Sequence, residues 1–370
     1  MSANIRPSGV FDTSYAQDIA LNRTRADKLL VYGLIALVLL VPLLTSDGPL
    51  GLSVLPVFWI GIISRIATLT IAVQGLNILM GYTGQISLGH AAFMAVGGYT
   101  AAILGRELGL TFWLALPLAA LFTGLVGLLF GLPSLRVKGF YLAMATLAAQ
   151  FIIPWILQHP LEPLTNGARP LEVPIPTLGP LSFASDAAMF YITVPLSIVL
   201  ALAARNIVRT RTGRAFVAVR DNDLAAELMG INVFAYKLQA FFISALYAGV
   251  AGALIAYDTN SLTLTTFELN KSIEYLAMLV IGGAGFPLGA LFGVAFINLL
   301  KEFFIPTVTP ALRVSLPQLL PFIDMVSINA AINPLLFGTV LIVFLVFEPR
   351  GLAYRWEILK ISWKLRPFSH

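Results

Sequence analysis

The sequence predicts an all-α, polytopic transmembrane bundle of about eight to ten membrane segments, with glycine-broken or re-entrant helices. Three observations lead there. Of 370 residues, 58% are hydrophobic and only 11% carry a charge, against roughly 25% charged in a soluble domain. Uninterrupted apolar stretches of about 17–25 residues recur along the chain, each long enough to cross ~30 Å of hydrocarbon. Finally, the stretch Gly81-Tyr-Thr-Gly-Gln-Ile-Ser-Leu-Gly-His-Ala-Ala-Phe-Met-Ala-Val-Gly-Gly-Tyr99 stands where a membrane helix belongs, yet it is rich in glycine, hydroxyl, amide and imidazole. Lipid cannot hydrogen-bond a backbone, so irregular polar chain at this depth must lie against protein or a wet cavity. It is a pathway candidate rather than an anchor.

Residues 1–28 are polar and lack an apolar core followed by a small-residue cleavage site, so they read as a tail and not a signal peptide. Arg23, Arg25 and Lys28 precede the first apolar run and put that tail in the cytoplasm. The membrane domain covers 29–348, and 349–370 forms a basic cytoplasmic tail. Apolar helices are expected at about 29–45, 56–80, 84–104, 110–132, 139–158, 187–204, 236–257 and 332–348. The apolar region 272–305 is interrupted by Gly282-Gly-Ala-Gly-Phe-Pro-Leu-Gly289, too dense in glycine and proline for one straight helix. It is either a broken crossing or a re-entrant hairpin.

Charge sets the orientation of the loops. Arg136 and Lys138, then Arg205, Arg209, Arg211, Arg214 and Arg220, fall inside when helices alternate from an inner N-terminus. Arg350, Arg355, Lys360, Lys364 and Arg366 also fall inside if 272–305 re-enters from outside and returns, or if it crosses and part of 306–331 crosses back. The proline-rich loop 159–186 is poor in positive charge and belongs outside. The basic loop 205–235 belongs inside, and within it Phe216, Val219, Ala226 and Met229 recur at roughly helical spacing. An amphipathic helix over 213–231 follows, either resting at the headgroups or docking on a cytoplasmic partner.

The residue inventory excludes several chemistries. The chain has no cysteine and three scattered histidines, so neither a thiolate site nor a histidine metal cluster is expected. Phosphate-loop, zinc-helix and nucleophile-elbow motifs are missing, which predicts no enzymatic activity and no nucleotide hydrolysis by this chain. Its net charge of +5 is explained by inner loops and calls for no nucleic acid. Among the ionisable residues near the membrane, Arg65 and Glu274 are the interior candidates, with Lys271 one turn from Glu274. Gly127-x-x-x-Gly131 and Gly285-x-x-x-Gly289-x-x-x-Gly293 are close-packing seams. The glycine breaks at 81–84 and 282–289 hold similar places in two halves, the pattern of an internal repeat around a midplane site.

Leu76-Asn-Ile-Leu-Met-Gly-Tyr-Thr-Gly-Gln-Ile-Ser-Leu-Gly-His-Ala-Ala-Phe93 resembles the signature of LivM-type permeases of branched-chain amino-acid ABC transporters. Gly139–Leu147, Arg211–Asp223, Ala225–Ile231 and Ser272–Gly283 are similar to further blocks of that family, in the family's order. The resemblance implies an importer subunit of a bacterial cytoplasmic membrane. It implies a second, related permease as a heterodimer partner, two cytoplasmic ATPases that carry ATP and magnesium, and an exterior substrate-binding protein. This chain itself would bind no cofactor and no metal.

Ala225-Ala-x-x-x-Gly230 resembles the motif by which importer permeases dock on their ATPases, with Leu224 where the family carries glutamate. The resemblance therefore assigns coupling to the 213–231 helix, with Gly213, Arg214, Phe216, Arg220, Asp223, Ala225, Ala226, Glu227 and Gly230 as its residues. The pathway candidates are Gly84, Gln85, Ser87, His90, Tyr99, Arg65, Glu274, Gly282, Gly283 and Gly285. Half-helix N-termini after Gly84 and Gly285 would offer N–H groups to a substrate carboxylate. A urea or short-chain amide importer and a stand-alone secondary transporter are the alternatives.

Overall fold

The computed structural model describes residues 29, 33, 35–45, 56–132, 140–178, 181–310 and 325–365. The tail 1–28 with Arg23, Arg25 and Lys28, the basic pair Arg136 and Lys138, and Arg366 lie outside the described residues.

The principal unit is Ile62–Tyr354. Its helices are α1 (Phe58–Leu76), α2 (His90–Glu107), α3 (Phe112–Gly131), α4 (Phe140–Gln158), α5 (Asp186–Arg209), α6 (Arg211–Asp221), α7 (Asp223–Leu228), α8 (Val233–Thr259), α9 (Leu269–Gly282), α10 (Gly289–Leu299), α11 (Met325–Phe347) and α12 (Leu352–Leu365). α1 begins and α12 ends outside this unit. α1 and α10 each run on into a π-helical turn, Asn77–Tyr82 and Leu300–Phe304. A smaller unit comprises the described residues of Met1–Gly61 and Arg355–His370. In it the turn Val41–Leu44 closes where Thr45 Oγ1 donates to the Pro42 carbonyl at 2.8 Å.

Among the described residues six helices, or up to seven if a bent pair counts as one span, are long and apolar enough to cross a membrane, against about eight to ten segments expected over the whole chain. Two corrections account for part of the difference. The helix expected over 84–104 starts at His90, because Gly84 adopts φ +70° and residues 84–89 leave helical geometry. It is also no lipid-facing span: α2 is sheathed by α3, α4 and α8, with His90–Tyr99 buried throughout. The 272–305 region is a helical hairpin, in which α10 folds back on α9 around Gly283–Leu288. α9, 14 residues long, reaches about 21 Å, short of a bilayer core by itself.

Glycine sets how closely these helices approach. A Cβ at Gly97 would overlap the Gly249 backbone, and one at Gly252 would overlap the Met94 carbonyl, so α2 and α8 cross backbone to backbone. Gly127 and Gly131 face Ala245 and Phe241 of α8. Gly289 and Gly293 lie on the Gly283 and Met278 carbonyls and close the hairpin. Both seams read from the sequence are packing surfaces, as such spacing favours where apolar surroundings give helices no hydrophobic drive to associate.

At one end of the unit, the proline-rich loop pairs Leu171–Glu172 with Ser261–Leu262 in a short antiparallel ladder. The opposite end gathers the basic loop after α5, the α9–α10 turn and Arg350, whose carbonyl lies against Gly283.

Candidate functional site

At that basic end the two glycine breaks meet. The π turn Asn77–Tyr82 leaves Asn77 fully buried and aimed across to the second break. There its Nδ2 donates to the Phe286 carbonyl at 2.9 Å, and its Oδ1 accepts from Gly285 N–H at 2.8 Å. One carboxamide therefore ties both breaks together, satisfying a donor and an acceptor that no helix can. Gly81 packs so tightly here that a Cβ would overlap Asn77 Oδ1 and Gly285 N. Gly283 and Gly285 take φ +104° and +85°, values that only glycine adopts without strain.

Arg220, in the last turn of α6, lies over this junction. Its Nη1 donates to the Gly81 carbonyl at 2.9 Å, and its Nε donates to Asp221 Oδ1 at 3.0 Å. Its stem meets Gly84, and its guanidinium lies beside Gly285. The basic loop after α5 thus touches both breaks through one side chain.

The loop is two helices and not the single helix expected over 213–231. Asn222, with φ −160° and ψ 107°, ends α6 and caps α7, its Oδ1 accepting from Leu224 and Ala225 N–H. Phe216 and Val219 are buried as expected, Phe216 edge-on to Tyr236 with ring centroids 6.2 Å apart. Gly213 is buried against the Val208 carbonyl, and Arg214 is exposed. Lys237 Nζ holds Asp223 at 2.6 Å, fastening α7 to α8. Ala226 is buried, whereas Ala225 and Glu227 are exposed. Met229, expected on the apolar face, points outward because the helix ends at Leu228. With Leu224 and Leu228 it forms an exposed apolar knob beside Gly230, which has φ +82° and open space around it.

The polar residues of the first break are buried. His90 Nε2 lies 2.8 Å from the Ala72 carbonyl, a bond within the bundle. Gln85 Nε2 donates to Thr83 Oγ1 at 3.0 Å. Gln85 Oε1, Ser87 Oγ and Tyr99 OH are buried with no hydrogen-bond partner among the described residues. A buried polar atom left so costs about 1–3 kcal/mol. Ser64, Gln74 and Thr193 carry buried polar atoms of the same kind, so the segment shares a polar interior with the rest of the bundle.

Two expectations need correction. The N–H groups of the half-helix after Gly84 are not free: Leu88 donates to Thr146 Oγ1, Ala91 to Ser272 Oγ and Ala92 to Gln150 Oε1. Gly285 N–H is likewise taken by Asn77. Arg65 is no interior residue, its side chain being 64% exposed and 3.8 Å from Glu302. Glu274 is interior, 14% exposed and held by Lys301 at 2.6 Å and Lys271 at 3.4 Å. Gly282 is buried where its Cβ would overlap the Gly289 carbonyl.

Sequence reasoning missed Asn77, Thr146, Gln150 and Ser272. The available signal was an amide inside an apolar run, as in Leu76-Asn-Ile-Leu-Met80 and Ala148-Ala-Gln-Phe151. Replacing Asn77 by leucine is expected to lower stability by about 2–4 kcal/mol, since it strands a donor and an acceptor. Resistance to denaturant-induced unfolding in detergent reads this directly, and a loss under about 0.5 kcal/mol would show that the bridge is dispensable.

Comparison with known proteins agrees with the sequence blocks. The family described as "Branched-chain amino acid transport system / permease component" matches residues 58–345. The high-affinity branched-chain amino acid permease LivM of Escherichia coli is 36% identical over 267 residues, 64% of this chain and 63% of the relative. LivM of Salmonella typhimurium is 35% identical over 268 residues, with the same coverage. A guanosine permease of Bacillus subtilis, NupQ, is 30% identical over 229 residues, 56% of this chain and 70% of that protein. The match thus spans less than two thirds of the two LivM relatives' length. No solved structure matches the chain.

Proposed function

Because the chain belongs to the permease family of branched-chain amino-acid transport systems, we propose that it is a membrane-spanning subunit of a binding-protein-dependent importer for leucine, isoleucine and valine. It works beside a related sister permease in the bacterial cytoplasmic membrane, with both termini in the cytoplasm. Two cytoplasmic ATPases hold ATP and magnesium, and an exterior binding protein delivers the cargo. The chain is a transport subunit and carries no catalytic residue.

The observation that carries this reading is the bond from Arg220 to the Gly81 carbonyl. It connects the basic loop to both glycine breaks, which is what a device turning ATPase movement into pathway movement requires. The exposed knob of Leu224, Leu228 and Met229 is the docking surface. Docking moves α7, and the Asp223–Lys237 ion pair passes that movement to α8. Arg220 passes it to the π turn and to the α9–α10 turn. Glycines with positive φ and a π turn can change path with little side-chain repacking. The route opens alternately to either side around the polar segment of Gln85, Ser87, His90 and Tyr99. Grouping of Arg220 and Arg350 at the same end supports a cytoplasmic junction.

Transport by the chain reconstituted with its partners tests this reading. Leucine uptake should require ATP, whereas uptake of guanosine or urea in its place would reassign the cargo, and uptake without ATP would indicate a secondary transporter. The pair Leu228→Asp and Met229→Asp should cut ATPase retention at least about tenfold by placing charges in an apolar contact. Unchanged copurification would remove the knob from the docking surface.

A further inference from the structure

We propose that Arg65 and Glu302, backed by Lys301, Glu274 and Lys271, form a receiving site for a zwitterionic cargo, with the guanidinium taking its carboxylate and Glu302 its ammonium. The site is distinct from the glycine junction: along α1, Arg65 is about 16 Å from Leu76, beyond which the π turn carries the chain on to Gly81. The proposal rests on the amino-acid cargo put forward above.

The charges lie inside the spans and not at their ends. Arg65 is about 10 Å along α1 from Phe58, and Glu302 about 12 Å from Pro310, the last described residue of its span. Charged groups at such depth are expensive against lipid and face a wet route or another protein surface. The geometry divides them into an anchor and an open pair. Glu274 accepts from Lys301 at 2.6 Å and from Lys271 at 3.4 Å, and Lys301 also sits 5.4 Å over the Phe337 ring. That anchor joins α9, α10 and α11.

Arg65 and Glu302 are instead 3.8 Å apart, 64% and 31% exposed, too far for a closed charge-assisted bond. Lys301 and Glu302 both stand on the π turn Leu300–Phe304, the same irregularity that aims Asn77 at the other site. An extra residue in a turn re-aims neighbouring side chains and is concentrated at functional positions. The mixed sign of Arg65 and Glu302 suits a molecule carrying both charges better than a simple anion. A guanidinium fork matches a carboxylate in two parallel bonds, leaving Glu302 for the ammonium.

The test uses the complete complex in liposomes, with sister permease, ATPases and leucine-loaded binding protein. Arg65→Gln and Glu302→Gln should each lower leucine uptake roughly tenfold, the scale of one charge-assisted bond, while assembly and binding-protein-stimulated ATP hydrolysis persist. Arg65→Lys should be intermediate because it keeps the charge and loses the fork. The double variant Arg65→Gln with Glu302→Gln separates ligand contact from scaffold. A purely structural pair predicts recovery once neither charge is left alone, whereas a receiving site predicts uptake at or below that of the single variants. Uptake within about twofold of the parent in both single variants, recovery in the double variant, or release of the sister permease would overturn the proposal. A parent complex that moves no leucine would instead refute the cargo reading on which it stands.

Discussion

Arg220→Ala is expected to lower ATP-dependent uptake about tenfold, from the loss of roughly 1.5 kcal/mol in a charge-assisted bond to the Gly81 carbonyl. The low end of the range applies because the side chain is 38% exposed. Folding should survive, since α6 keeps its buried Phe216 and Val219. ATP hydrolysis should also survive, because the knob on α7 is untouched. The informative readout is therefore the ratio of leucine moved to ATP hydrolysed, which should fall. Arg220→Lys should recover little, since one ammonium cannot serve Gly81 and Asp221 with the same fork. A full transport-to-hydrolysis ratio in Arg220→Ala would break the proposed link between loop and breaks.

Gly252→Val should have the largest effect on folding. Its first added carbon would overlap the Met94 carbonyl, a backbone atom that no rotamer change can move aside. α2 and α8 would have to separate along the seam that also brings Gly97 onto Gly249. Overpacking of this kind costs about 3 kcal/mol or more, seen as loss of monodisperse protein in detergent and a lower midpoint of thermal unfolding. Gly338→Ala is the matched control: among the described residues nothing lies within 4 Å of its Cβ position in α11. There a gain of up to about 1 kcal/mol is expected from helix propensity. Equal behaviour of the two variants would show that the α2–α8 crossing does not depend on glycine.

Much of the architecture was legible in residue order because a bilayer imposes simple rules. Apolar runs long enough to cross it announced α1, α3, α4, α5 and α8. The buried face of the basic loop was visible in Phe216, Val219 and Ala226, whose spacing repeats locally. Its break was not, since Asn222 works by capping through its own side chain and looks like any polar loop residue. α2 was placed several residues early because hydropathy averages over the turn in which Gly84 changes the sign of φ. The site residues divide in the same way. His90 and Gln85 drew notice as polar groups in apolar chain, whereas Asn77 drew none, although it joins positions more than two hundred residues apart.

By itself, the order of residues determined that this chain crosses a membrane repeatedly, that its backbone breaks at 81–84 and 282–289, and that its basic loop follows α5. Each is a local property, set by hydropathy, glycine content or charge within a window of some twenty residues. Only the tertiary structure decided that the two breaks lie against each other, that Arg220 rests on both, and that Arg65 faces Glu302. The physical reason is that hydrogen bonds and ion pairs are short-ranged contacts between distant chain segments. Their partners are chosen by how helices pack, which glycine spacing permits but does not specify.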